Sequence, residues 1–211
     1  DSQYSDLICS TIKRVFGTPA QLFYRVVVDP VNEAIGTTQL AGSETNKTLR
    51  KKNNSEFDSQ LNPELTYNNF IEGDCNRLSR TVGINIASQP GKTIFNPLFI
   101  YGKSGVGKTH LVNAIGLKTK ELHPQKKVLY VSANLFQQQY TEANKNGQVN
   151  DFLNFYQTVD VLIIDDIQEF GEGKKVSTQN QFFHIFNHLH QSGKQLILTC
   201  DKKPADLEGM E

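Results

Sequence analysis

The chain has 211 residues, 37% of them hydrophobic, and its 22 Lys and Arg balance 22 Asp and Glu to a formal net charge of zero. That length suffices for one α/β domain with a buried core and some additional chain. The balanced charge excludes a uniformly basic nucleic-acid binder, though not local contacts with DNA.

Cys9, Cys75 and Cys200 are odd in number and widely spaced, which fits reduced thiols and neither a disulfide framework nor a C-x-x-C metal pair. No stretch reaches the ~18 apolar residues of a membrane-spanning helix. The polar first residues lack the apolar region of a signal peptide. A soluble cytoplasmic protein without a membrane-spanning segment is expected.

Residues 1–29 read as the end of a small α+β module. Ile8, Ile12, Val15 and Phe16 recur at helical spacing until Gly17 and Pro19 stop the pattern. Leu22 to Val28 is then rich in β-branched and aromatic residues, as a strand is. Over residues 30–60 Asn, Ser, Thr, Lys and Glu dominate, and Phe57 is the only aromatic. So few apolar groups cannot offset the entropy of ordering, so a flexible linker is expected there. Its basic triplet, Arg50-Lys-Lys52, reads as a solvated feature of that linker.

From residue 61 to 211 strands and helices alternate. Strands are expected at Leu98–Tyr101, Val128–Ser132, Val161–Ile164 and Gln195–Thr199. Helices are expected near Lys108–Glu121, Leu135–Asn144, Val149–Gln157 and Thr178–Gln191. Apolar runs separated by helices indicate a parallel sheet covered on both faces.

Gly102-Lys-Ser-Gly-Val-Gly-Lys-Thr109 fits G-x-x-x-x-G-K-[ST] at every fixed position, between the strand ending at Tyr101 and the helix that follows. This is the strand–loop–helix context of a polyphosphate cradle. A chance match somewhere in such a chain has a probability of about one per cent. Gly102, Gly105 and Gly107 let the backbone turn its N–H groups inward, with Val106 and His110 beside them. Lys108 supplies charge to the β/γ-phosphates, the Thr109 hydroxyl a ligand for Mg²⁺, and the helix its positive end.

Val161-Leu-Ile-Ile-Asp165-Asp166 is an apolar strand ending in two carboxylates. A strand emerging beside the phosphate loop would deliver both to the carboxyl edge of the sheet. Asp165 is placed to hold Mg²⁺ and Asp166 to orient and deprotonate the attacking water. A further strand between these two ends near Thr199 and Asp201, and a polar residue at its tip could sense the γ-phosphate. Asp201 is the first candidate and Thr199 the second. The guanine-selective Asn-Lys-x-Asp pattern is absent from Thr199-Cys-Asp-Lys-Lys203, which favours ATP over GTP. His184 and His188 stand four apart on an expected helix, but no Glu completes an H-E-x-x-H arrangement and aromatic residues surround them, so they read as packing or surface histidines.

The blocks Leu61 to Leu78, Asn96 to Leu111, Asp160 to Gln168, Phe182 to Asn187 and Leu196 to Asp201 together resemble the bacterial chromosomal replication initiators, a family of AAA+ ATPases. The resemblance covers most of residues 61–211. It implies an AAA+ domain in which Phe70 and Ile71 line the adenine pocket, and in which Lys108, Asp166 and the first sensor Asp201 serve hydrolysis. It implies an initiator-specific helical insertion around 135–157, with Thr141 and either Lys174 or Lys175 near positions that contact single-stranded DNA. It also implies self-assembly in the ATP state, recruitment of the replicative helicase through a first domain of which residues 1–29 would be the tail, and opening of origin DNA. On that pattern the chain ends before the arginine finger, the fifth core strand, the lid with its second sensor and the helix-turn-helix domain that binds duplex origin boxes. The core would then be incomplete and regulated hydrolysis would not be expected of this chain alone. An AAA+ helicase loader or a regulatory paralogue of the initiator is the alternative, and a metabolic nucleotide kinase is disfavoured because no acceptor site or lid is recognisable.

Overall fold

The computed structural model describes residues 57–171 and 176–207, together with the backbone of Arg25–Val27. The helix expected around Ile8 to Phe16 and most of the linker lie outside the described residues, as do Lys174 and Lys175.

Strand β1 is Arg25–Val27, β2 Leu98–Tyr101, β3 Val128–Ser132, β4 Val161–Asp165 and β5 Gln195–Cys200. Their order across the sheet is β1-β2-β5-β4-β3, and every pairing is parallel. Four strands thus form the body of the sheet, and the three residues of β1 add to its edge with Arg25 opposite Phe99. At the opposite edge, Phe57 to Gln60 already touch the domain: the Ser59 carbonyl accepts the Tyr130 N–H at 2.9 Å, and Phe57 stacks on Phe155.

Helices α1 (Arg77–Ser88) and α2 (Lys108–Leu122) cover one face, and α3 (Ala133–Lys145), α4 (Val149–Gln157) and α5 (Val176–Gln191) cover the other. The central strands are apolar throughout because they are buried on both sides. Val161 and Ile163 pack with Val82, Ile86, Leu111 and Ile115, whereas Leu162 and Ile164 pack with Phe136, Tyr156, Phe170 and Phe182. Helix α1 was not expected from the sequence. It fits closely against its neighbours through Gly83, where a Cβ would come within 2.5 Å of the Tyr67 hydroxyl and 2.7 Å of Ile115 Cγ1.

Side chains lock the entrance of the sheet. Asn96 accepts the Leu196 N–H at 2.9 Å and donates to the Lys194 carbonyl at 2.8 Å. Asp160 accepts from the Lys127 N–H at 3.0 Å and pairs with Lys194 Nζ at 2.6 Å. Partial burial of Asp160 would raise its pKa, but the Lys194 bond, the Lys127 N–H and the charges of Lys194 and Lys126 outweigh it and hold the carboxyl below its ordinary value. A carboxyl more acidic in the folded state stabilises at neutral pH, and that contribution is lost as pH falls through its lowered folded pKa. Asp160→Asn is therefore expected to cost about 1–2 kcal/mol at pH 7 and to flatten the acid side of the stability–pH curve. Urea unfolding at pH 7 and pH 3.5 checks this, and an unchanged acid slope would refute it.

Candidate nucleotide-binding site

The phosphate loop leaves β2 at Gly102 and enters α2 at Lys108. Gly107, the residue before the helix, has φ 92° and Gly105 has φ 84°, conformations that side chains resist. The loop is fastened at its base by Gly102 N–H donating to the Cys200 carbonyl at 3.1 Å. Lys108 is 8% exposed and folds across the loop, donating to the carbonyls of Gly102 at 2.9 Å and Lys103 at 3.3 Å. Ser104, Gly105, Gly107, Lys108, Thr109 and Asp166 surround a cavity of about 240 Å³. A helix N-terminus, left-handed glycines and a lysine around one cavity are suited to a polyphosphate. Val106 sits half-buried at the edge of the core rather than in this lining.

Asp165, the last residue of β4, is 2% exposed and its carboxylate accepts from three hydroxyls. Oδ2 accepts from Thr109 at 2.6 Å and from Tyr130 at 2.8 Å, and Oδ1 accepts from Thr199. Burial and the Asp165 charge push the Tyr130 phenol well above its usual pKa, so it remains a donor. Among the described residues no group of three His, Cys, Asp or Glu forms a metal site. Thr109 and Asp165 are 2.6 Å apart beside the phosphate cavity, which fits Mg²⁺: that ion keeps waters and borrows phosphate oxygens rather than using an all-protein cage.

Asp166 lies in the left-handed region, φ 58°, and lines the cavity. That conformation is uncommon outside glycine, though Asp tolerates it better than most, and here it turns the carboxylate from the strand toward the loop. Its N–H donates to Thr199 Oγ1 at 2.9 Å. Strand β5, which carries Thr199, lies between β2 and β4 as expected, and the acids still reach the phosphate loop, Asp165 bonding Thr109 directly. Thr199 is buried and spends its hydroxyl on both acids. Asp201 is exposed just beyond β5, and its N–H donates to Gln168 Oε1 at 3.2 Å.

His110 points away from the cavity. Its Nε2 meets the Thr66 carbonyl at 2.8 Å and Asn69 Oδ1 at 3.2 Å, two acceptors that require the proton on Nε2. It thereby clamps the 66–70 segment to α2, and Phe70 meets its ring edge-on at 5.3 Å. Phe70 also lies against the loop, with Cε2 3.6 Å from where a Gly107 Cβ would be. Ile71 is 87% exposed. Thr141 lines a separate groove of about 570 Å³ along α3, with Gln137, Gln138, Lys145 and Thr178.

Sequence reasoning missed Tyr130, Asn113 and Gln168. Asn113 is buried on α2, where it donates to the Thr109 carbonyl at 2.8 Å and accepts the Asn62 N–H at 2.9 Å. A polar residue amid the apolar run 111–116 was the available signal for it.

Residues 61–211 match the family model described as the bacterial DnaA ATPase domain. The chain belongs to the bacterial DnaA family. It is 51% identical to the chromosomal replication initiator protein DnaA of Bacteroides fragilis, covering all of this chain and 47% of that protein. Its fold matches the solved replication initiator DnaA bound to AMPPCP and single-stranded DNA at 43% identity and TM-score 0.68, covering 72% of this chain and 46% of that one. Domain III of Thermotoga maritima DnaA matches at 38% identity and TM-score 0.67, covering 72% of this chain and 62% of that one. The chain spans about half the length of the curated DnaA relatives it matches. As in its family, the α/β sheet is parallel with helices on both faces. No described helix is long and apolar enough to cross a membrane.

Proposed function

We propose that the chain carries the nucleotide switch of an ATP-dependent initiator of chromosomal replication acting in the cytoplasm. The observation that carries this reading is one cavity lined by a glycine-turned loop, a buried lysine and Asp166, with Asp165 bonded to Thr109 beside it, in a chain of the DnaA family. The loop N–H groups and Lys108 would bind the triphosphate, and Phe70 with Ile71 would lie along the adenine. Thr109 and Asp165 would hold Mg²⁺, which supplies positive charge to the β- and γ-phosphates when bound. Tyr130 and Thr199 keep the Asp165 carboxylate aimed. Asp166 would accept a proton from the attacking water, and the Asp201 turn would register the γ-phosphate.

ATP on this reading is first an assembly signal and only then a substrate. The ATP state would favour association with further copies on single-stranded origin DNA, and hydrolysis would reset it. The polar groove along α3 would take the single strand, with Thr141 in its wall, and Lys174 or Lys175 would add a further contact. Duplex origin recognition and helicase recruitment would belong to other domains of such an initiator. A bound AMPPCP and single strand in a relative at 43% identity support this over a helicase loader.

Fluorescence anisotropy of a labelled oligothymidylate with the full chain tests the proposal. ATP is expected to tighten binding relative to ADP by about five- to 150-fold. Thr141→Glu is expected to weaken it about tenfold without altering ATP affinity, by setting a carboxylate against phosphates. Equal affinity in ATP and ADP would sink the switch.

A further inference from the structure

Asp166 is fixed at both ends by side chains from outside its own strand. Thr199 takes its backbone N–H, and Gln168 takes its carboxylate, donating from Nε2 to Oδ1 at 3.1 Å. The same amide accepts the Asp201 N–H on Oε1 at 3.2 Å. These two bonds fix the orientation of the amide. A flipped Gln168 would turn its oxygen to a carboxylate and its NH₂ to an N–H, two repulsive contacts in place of two bonds.

Gln168 lies in the 3-10 turn Ile167–Gly171, whose neighbours Ile167 and Phe170 are buried, so its backbone is anchored while its side chain spans two loops. The span runs from the cavity-lining acid to the turn that ends β5. With Oδ1 held by Gln168, Oδ2 is the freer oxygen to accept a proton from water.

We propose that Gln168 is a positioning residue that couples the Asp166 carboxylate to the Asp201 turn, so that displacement of this turn reorients the acid. This rests on the reading of Asp166 as the group that activates water. Shortening Gln168 releases the carboxylate without touching the phosphate loop. Exchanging it for Glu keeps the length and the Asp201 bond but sets a second carboxylate against Asp166 Oδ1. Like charges that close repel, so the Asp166 carboxylate is turned from its place.

The test is single-turnover ATP hydrolysis with parallel ATP affinity, in the full-length protein, for Gln168→Ala, Gln168→Glu and Asp166→Asn. Gln168→Ala is expected to slow hydrolysis about tenfold while ATP affinity stays within about twofold. Gln168→Glu is expected to slow hydrolysis at least as much as Gln168→Ala, again with ATP affinity within about twofold, a split between rate and affinity that a merely structural residue would not produce. Hydrolysis by Gln168→Ala or Gln168→Glu within twofold of wild type overturns the coupling. Loss of ATP affinity in step with hydrolysis overturns it as well and makes Gln168 structural. Unchanged hydrolysis in Asp166→Asn overturns instead the underlying reading of Asp166, whatever the Gln168 variants do.

Discussion

Lys108→Ala is expected to weaken ATP binding by about 2–5 kcal/mol, roughly thirty- to several-thousand-fold, while leaving the fold intact. The ammonium is already largely out of water and held by two loop carbonyls, so most of its desolvation and ordering cost is met before a nucleotide arrives. A phosphate facing that cavity without the lysine loses the one cationic side chain of the lining, while the neighbouring Asp165 and Asp166 repel it. The folded state loses little, because the bonds of Lys108 reach only the carbonyls of Gly102 and Lys103. Isothermal titration with ATP, paired with thermal melting of the nucleotide-free chain, separates the two effects. An affinity within threefold of wild type would remove this loop from the binding site.

Phe136→Ala is expected to destabilise the domain by about 3–5 kcal/mol, a large part of the 5–15 kcal/mol typical of a domain. Phe136 is completely buried and its ring meets Phe152, Tyr156, Phe170 and Phe182 at 5.2, 5.0, 5.6 and 6.2 Å, all edge-on. No neighbour can fill the space, since each ring is held by the others. Phe136→Leu should cost less than half as much, because it retains most of the contact and creates a smaller cavity. Urea unfolding of both variants gives the comparison, and a loss below 1.5 kcal/mol in the alanine variant would contradict the packing described. Phe170 belongs to the turn that carries Gln168, so the larger cavity should also loosen the acid pair's support.

Strands β2 and β3 and helix α4 were readable at their observed bounds, and β4 and β5 run one residue beyond expectation. Doubly buried strands are continuous apolar runs closed by polar residues, a pattern that survives in sequence. Helix α1 was hidden because Val82, Ile84 and Ile86 alternate as a strand would and Gly83 interrupts them. Its buried side is nevertheless helical in spacing, Ser79, Val82, Gly83, Ile86 and Ala87, with a glycine where Tyr67 and, on α2, Ile115 lie so close. In the site, the phosphate loop and the paired acids were legible because their chemistry fixes residue types at set intervals. Tyr130, Asn113 and Gln168 were not, since each acts across a distance in sequence or on a neighbour's backbone. The place of the strand ending at Thr199, between the loop strand and the acid strand, was expected and is observed.

The position of β5 sets an order of assembly. It is the last of the four main strands to be synthesised, yet it is the one that joins β2 to β4. Asn96 and Leu196, bonded across that junction, are 100 residues apart in sequence. Until Cys200 has been made, the loop and the acids occupy two half-sheets with no shared hydrogen bond in the ladder, and contacts of such separation form late. A nascent chain can therefore fold the α1–α2 layer around β2 early, but it acquires a complete phosphate cavity only when the keystone strand slides in.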